Sequence, residues 1–298
     1  MKQLMLLLLL LGSSPLLFSQ EENNIAQGSF YPWQAVEEGK EQFCYTLVSD
    51  ANVRDKANAS AAVVSKLPIG TQVKIEKITT DSLVMNGFKA PWCKVSYTLG
   101  GKTLNGYLWG GVLAFVSYEV KEEYDEQRYG LMYLVGVSKV DVAKNKWTLQ
   151  VRVAQKGVEL SRMEFESPGD VGYYSTMKNF GNLGFKNVRD VISYQSYYPA
   201  CGYPSTDFLI VFANNKLSKI LDTSSISDAG AFYDDQSYLL PNDKGGIQGH
   251  IVVVNSSAEM EEKEVKKDIF ESITKNQKYS IQVHKWTGEK LQKVKELK

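Results

Sequence analysis

Residues 211–220 read Val211-Phe212-Ala213-Asn214-Asn215-Lys216-Leu217-Ser218-Lys219-Ile220, and this stretch decides the fold class of most of the chain. Three apolar residues lead into an asparagine pair, and asparagine tolerates the positive φ that a tight hairpin turn demands. Apolar residues resume beyond the turn, so two antiparallel strands are expected. A second segment repeats the arrangement: His284-Lys285-Trp286-Thr287-Gly288-Glu289-Lys290-Leu291-Gln292-Lys293-Val294 turns at Thr287-Gly288. Working outward, runs at 131–137, 147–153, 158–165, 188–194, 208–212, 217–221, 251–254 and 279–286 are apolar or alternating and mostly bounded by Gly, Asn, Asp or Pro. Residues 130–298 are therefore predicted to form an antiparallel β domain, either a curved meander or, if the repeated hairpin marks a module, a propeller-like sheet. One surface helix is expected to cover part of it. Ser256-Ser257-Ala258-Glu259 has capping-box spacing, and Val265, Ile269 and Ile273 recur every four residues among Glu and Lys.

Residues 43–115 read differently, as short strands in close succession. Val73-Lys74-Ile75-Glu76 alternates apolar and charged, Asn86-Gly87 and Gly100-Gly101 are turn signals, and Trp92 to Tyr97 and Gly106 to Trp109 are further strands. About five short strands in so short a span suggest a small closed barrel. The ordered set Asn52-Val53-Arg54-Asp55, Val63-Val64-Ser65-Lys66-Leu67, Ile69-Gly70-Thr71-Gln72-Val73-Lys74-Ile75, Trp92-Cys93-Lys94-Val95 and Gly106-Tyr107-Leu108-Trp109, closed by Leu113, resembles the bacterial SH3-like domains. An insert from Thr79 to Ala90 departs from that pattern. The resemblance implies an accessory module that targets enzymes to the cell wall or binds short peptides. Trp92, Tyr97, Tyr107 and Trp109 are the candidate ligand-binding residues, although the same rings would fill the core of so small a barrel. Beyond it, Ala200-Cys201-Gly202-Tyr203-Pro204, Asp228-Ala229-Gly230-Ala231-Phe232-Tyr233 and Pro241-Asn242-Asp243-Lys244-Gly245-Gly246 resemble an uncharacterised domain found beside SH3-like modules in secreted proteins of Bacteroides relatives, which implies no activity.

The first residues give an address. Lys2, the leucine-rich run ending at Leu11, the helix-breaking Gly12-Ser13-Ser14-Pro15 and the small Ser19 form a secretory signal peptide over residues 1–19. Its apolar run is too short to anchor the chain in a bilayer core of about 30 Å, and no stable membrane insertion is expected. Residues 20–42 and 116–129 read as linkers, and the protein is expected to be exported, to a periplasmic or extracellular site. The 34 basic and 34 acidic residues cancel without a basic stripe, which argues against nucleic acid as a partner.

Several chemistries are unsupported. There is no Gly-x-Ser-x-Gly elbow and no phosphate-cradling glycine loop, and the two histidines lack the spacing of a zinc site. Asp228, Asp234, Asp235 and Asp243 lack the alternation of a calcium loop and read as turn residues, so neither metal nor cofactor is expected. Cys44 and Cys93 stand either as a disulfide or as two buried thiols. The function expected is a non-enzymatic binding or accessory module of the cell envelope, taking cell-wall peptide, glycan or an envelope protein. The alternative is a cysteine-type cell-wall peptidase using Cys201 with His250 or His284, which requires a histidine within reach of the thiol.

Overall fold

Asn214 and Asn215 take φ of 49° and 57°, the left-handed pair that a two-residue hairpin turn needs. They join strands β14 (Ser205–Ala213) and β15 (Lys216–Asp228), as their sequence predicts. The computed structural model describes residues 25–28, 42–122, 125–168, 174–197, 200–228, 231–266 and 269–297. The signal peptide lies outside these residues, as does most of the segment 20–42. Among the described residues the chain is all β, with two single-turn 3-10 segments and no α-helix.

The largest sheet has nine antiparallel strands, in the order β1 (Ile25–Gly28), β12 (Tyr174–Asn179), β13 (Val188–Tyr197), β14, β15, β16 (Phe232–Leu239), β17 (His250–Lys266), β18 (Ile269–Trp286), β19 (Leu291–Leu297). From β12 to β19 this is chain order, the order of a single meander. The two look-alike hairpins are parts of one sheet, so the propeller-like alternative is corrected. A second sheet runs β11 (Val158–Pro168), β10 (Lys146–Gln155), β9 (Leu131–Asp141), β8 (Val116–Glu119), which places a strand at the start of the stretch read as a linker. The third, over residues 42–109, runs β2 (Gln42–Tyr45), β5 (Gln72–Met85), β6 (Phe88–Leu99), β7 (Lys102–Trp109), β3 (Ala51–Arg54), β4 (Val63–Leu67). Its hydrogen-bonded order has two ends, β2 and β4, so it is an open sheet and not the closed barrel expected; a lone bridge between Thr46 and Leu113 joins the segments flanking it.

The surface helix expected from Ser256 onward does not form; the stretch is the hairpin of β17 and β18. A spacing of four is even and so compatible with strand period too; Val265 falls on β17, and Ile269 and Ile273 fall on β18. Ser256 and Glu259, read as a cap, instead stand opposite Tyr279 and Lys275 in the ladder. Sheet pairing with the β-rich β18 outweighs the helical preference of the Glu and Lys residues.

Hydrophobic burial ties the three sheets together. One cluster of buried residues includes Val53, Trp92, Cys93, Val95 and Trp109 of the six-stranded sheet, Tyr133, Val135, Trp147 and Val151 of the four-stranded sheet, and Ile192, Tyr194, Phe208 and Phe212 of the large sheet. The core therefore continues past residue 115. The insert from Thr79 to Ala90 lengthens β5 and β6 into a hairpin whose tip docks on β9. Val140 donates its backbone N–H to the Asn86 carbonyl at 2.9 Å, the Asn86 side-chain amide donates to the Ser138 carbonyl at 3.3 Å, and Phe88 meets Trp147 edge-on at 5.7 Å. The opposite face of the large sheet carries a second cluster, with Val191, Leu209, Val211, Leu240, Ile251 and Trp286 beneath Leu183 and Phe185.

Cys44 and Cys93 are buried free thiols, and Cys201 is an exposed one. Burial pushes both buried thiols up to about 12, so neither ionises near neutral pH. A maleimide titration of the oxidised, unreduced protein is expected to label Cys201 alone in the native state and all three cysteines after unfolding. A single label after unfolding would overturn this assignment.

Candidate binding site

The four aromatic residues proposed from sequence do not form an open groove. Trp92 and Tyr97 are each 4% exposed and Trp109 is 8% exposed, and all three belong to the core. The indole N–H of Trp109 is shared between the carbonyls of Leu83 and Ala90, both at 3.1 Å. Tyr107 alone keeps partial exposure. The physical reason lies in β6, whose buried parity switches from Phe88, Ala90 and Trp92 to Cys93, Val95 and Tyr97 while Lys89 and Lys94 face solvent, so Trp92 and Tyr97 both fall on buried positions.

The cysteine and the histidines are also separated. Cys201 lies in the turn between β13 and β14, where the N–H of Gly202 donates to the Ser227 carbonyl at 2.8 Å. Ser227 stands opposite Tyr233, and Tyr233 opposite Ala258. His250 lies 258 − 250 = 8 residues from Ala258 along β17, which is about 26 Å at ~3.3 Å per residue. His284 stands opposite Ile251, at the same far end. No proton can pass directly from Cys201 to either ring over that distance. His284 is lowered from its ordinary value by partial burial and then by Lys293, while the His250 ring contacts the Gln248 carbonyl at 2.8 Å.

Among the described residues no group of three or more His, Cys, Asp or Glu is placed to hold a metal ion. Of the aspartates weighed for calcium, Asp243 accepts the N–H of Leu240 at 2.7 Å and so shapes a turn. Asp228 stands opposite Phe232 at the mouth of the β15–β16 hairpin.

Two polar clusters are built into the interior of the fold. Asp190, fully buried, receives the Arg128 guanidinium at 2.7 and 2.9 Å and the Tyr133 hydroxyl at 2.7 Å. Arg128 also pairs with Glu122. This cluster clamps the segment between β8 and β9 onto the large sheet. In the second, Asp207 of β14 accepts the hydroxyls of Ser193 at 2.8 Å and Tyr238 at 2.9 Å. Burial raises the Asp207 carboxyl despite those two donors, and burial followed by the Asp207 charge raises the Tyr238 phenol. Every group in these clusters has a partner within the fold, so they read as supports.

Among the described residues an open groove of about 480 Å³ lies on the last strands of the large sheet, bordered by Asp234, Asn255, Ser256, Ser257, Lys278, Tyr279, Ser280 and Glu296. Register explains how these residues meet. Asp234, Ser257 and Lys278 form one row across β16, β17 and β18, and Asn255 and Ser280 face each other two positions along. By the alternation of strands this is the face that carries Ile251 and Trp286, continued outward past the end of the apolar cluster, whereas Ser256 and Tyr279, which pair with each other one position along, project from the opposite face. The Asn255 amide donates to the Ser280 hydroxyl at 3.0 Å, and on the opposite face the Gln277 amide donates to the Tyr279 hydroxyl at 2.6 Å. Sequence reasoning missed Ser257 because it assigned Ser256 onward to a helix, and missed Asn255 and Lys278 because they border the runs at 251–254 and 279–286 without belonging to any motif. Compared with protein-family models, curated proteins and solved structures, the chain matches none.

Proposed function

We propose that the protein is an exported, non-enzymatic binding module of the cell envelope, with its ligand seated in the groove on β16 to β19. The observation that carries this reading is an open groove on a paired sheet, where Asp234, Asn255, Ser257, Lys278, Ser280 and Glu296 share one face. Export rests on the signal sequence at residues 1–19. The SH3-like reading of residues 43–115 draws support from the six antiparallel strands in that span and from the bridge between Thr46 and Leu113 near its two ends. The separation of Cys201 from His250 and His284 weighs against the peptidase alternative.

The test is retention of the mature chain on sedimented envelope material from the native host. Wild-type protein is expected to co-sediment, the double variant Asp234→Ala/Asn255→Ala to lose most of that retention, and Val142→Ala, an exposed position of the four-stranded sheet's margin, to behave as wild type. Equal retention of all three proteins would refute the reading.

A further inference from the structure

We infer that the face of β17 to β19 opposite Ile251 and Trp286 rests on an anionic lipid surface as a peripheral contact; this goes beyond the groove and shares with that reading the export of the chain. Strand alternation assembles the face. Ser256 stands opposite Tyr279, Val254 opposite Ile281, and Val252 opposite Val283; on the next strand Leu297 pairs with Ile281 and Lys295 with Val283. Tyr279, Ile281 and Leu297 are 55%, 37% and 40% exposed, and Val254 and Val283 beside them are half-buried. A phenol ring and four aliphatic side chains thus form one strip on the side of the sheet that the apolar cluster does not occupy. Tyr233, opposite Ala258, adds a second ring at the Tyr279 end, and the Gln277 amide donates to both hydroxyls, at 3.4 Å and 2.6 Å.

Charge names the partner. Lys285 and Lys295 project from the same face at the other end of the strip, both exposed, and among the described residues neither has an ion pair. From Tyr279 to Leu297 the two acidic residues are Glu289, in the turn, and Glu296, which lies on the opposite face and pairs with Lys293. Asp235 of β16 shares the lysine-bearing face, at its far corner beside Ser256. A neutral apolar partner would bury two ammonium groups unpaired. A second copy laid face to face would bury the same lysines twice over, with one aspartate per copy to answer them. A free polyanion would meet the lysines and leave the apolar strip in water. A lipid surface answers both: the rings and aliphatic groups enter the acyl–headgroup boundary, and the lysine stems lie along it while their ammonium groups reach the phosphates. A fluid surface also conforms to a sheet face, whereas an acidic protein needs pockets for its anchoring side chains.

The mature chain is sedimented with vesicles of phosphatidylcholine alone and of phosphatidylcholine mixed with phosphatidylglycerol. It is expected to bind the mixed vesicles and not the neutral ones, and to lose affinity as salt is raised, because the lysine attraction is screened. Lys285→Glu/Lys295→Glu should weaken binding more than about tenfold. Ile281→Ser/Leu297→Ser, at exposed positions, should weaken it about tenfold. Asp234→Ala/Asn255→Ala changes the opposite face and should bind as wild type does. No binding to mixed vesicles, equal binding to both compositions, or saturable binding of polyglutamate in place of vesicles would overturn the inference. So would a dimer in analytical ultracentrifugation that Ile281→Ser/Leu297→Ser disrupts. The envelope-retention assay keeps this face apart from the groove. If vesicles fail to bind while retention depends on Asp234 and Asn255, the lipid face falls and the groove stands. If vesicles bind and retention depends on Lys285 and Lys295 but not on Asp234 and Asn255, the groove falls and the lipid face stands.

Discussion

Gly87→Ala is expected to destabilise the protein by about 3–5 kcal/mol, the sum of a left-handed backbone penalty and a steric clash. Gly87 has φ of +76°, and a Cβ at this position would lie 2.0 Å from the backbone oxygen of Val140. That oxygen belongs to β9 of another sheet and cannot turn away as a flexible side chain would. The control is Gly101→Ala, whose φ of +75° is nearly identical but whose Cβ would meet nothing within 4 Å. It should cost only the backbone term, about 1–2 kcal/mol. Urea unfolding of the two variants isolates the clash. Equal losses would show that the β5–β6 hairpin tip does not bear on β9, and that the insert from Thr79 to Ala90 has no role in joining the sheets. A fragment of residues 43–115 would for the same reason expose Phe88, Phe115 and the faces that meet Trp147 and Val135, and the continuous core argues that the six-stranded sheet draws stability from its neighbours.

Arg128→Ala should cost a similar amount, about 3–5 kcal/mol, by a different route. Asp190 is fully buried, and removing Arg128 leaves it with Tyr133 as a lone side-chain donor and no opposite charge beside it. The cost belongs to that stranded carboxylate more than to the ion pair itself. Adding Asp190→Asn to Arg128→Ala removes the unpaired charge and is therefore expected to recover part of the loss. A double-mutant cycle in urea measures the coupling. If Arg128→Ala costs less than about 1 kcal/mol, in the range of an exposed ion pair, the proposed clamp on the large sheet is wrong.

Much of this architecture was legible because strands and turns are local objects. The Asn214-Asn215 and Thr287-Gly288 turns, and the apolar runs that became β9, β10, β13, β14 and β18, follow from period and turn chemistry within a dozen residues. Two of the failures were also local in origin. The four-residue spacing of Val265, Ile269 and Ile273 fits a helix within its own window, and only the pairing of β17 with β18 settles their state. Trp92 and Trp109 carry no mark that separates a core ring from a ligand platform, and their burial depends on β9 and β10, which lie beyond the span in which they were read.

The candidate groove shows the same division more sharply. Asp234, Asn255, Lys278 and Glu296 stand 296 − 234 = 62 residues apart at their extremes, with no motif linking them. They converge because four consecutive strands pair in one register, and a slip of one residue on β17 would send Asn255 and Ser257 to the other face. The same register places Cys201 and the histidines at opposite ends of the sheet, which sequence proximity to any motif could not reveal. Composition, strand period and turn residues thus determined a mainly β chain by themselves, since each depends on neighbouring residues alone. Which strands share a sheet, which aromatic rings are buried and which polar groups meet were decided by tertiary structure, because they depend on pairing between segments that the chain brings together only on folding.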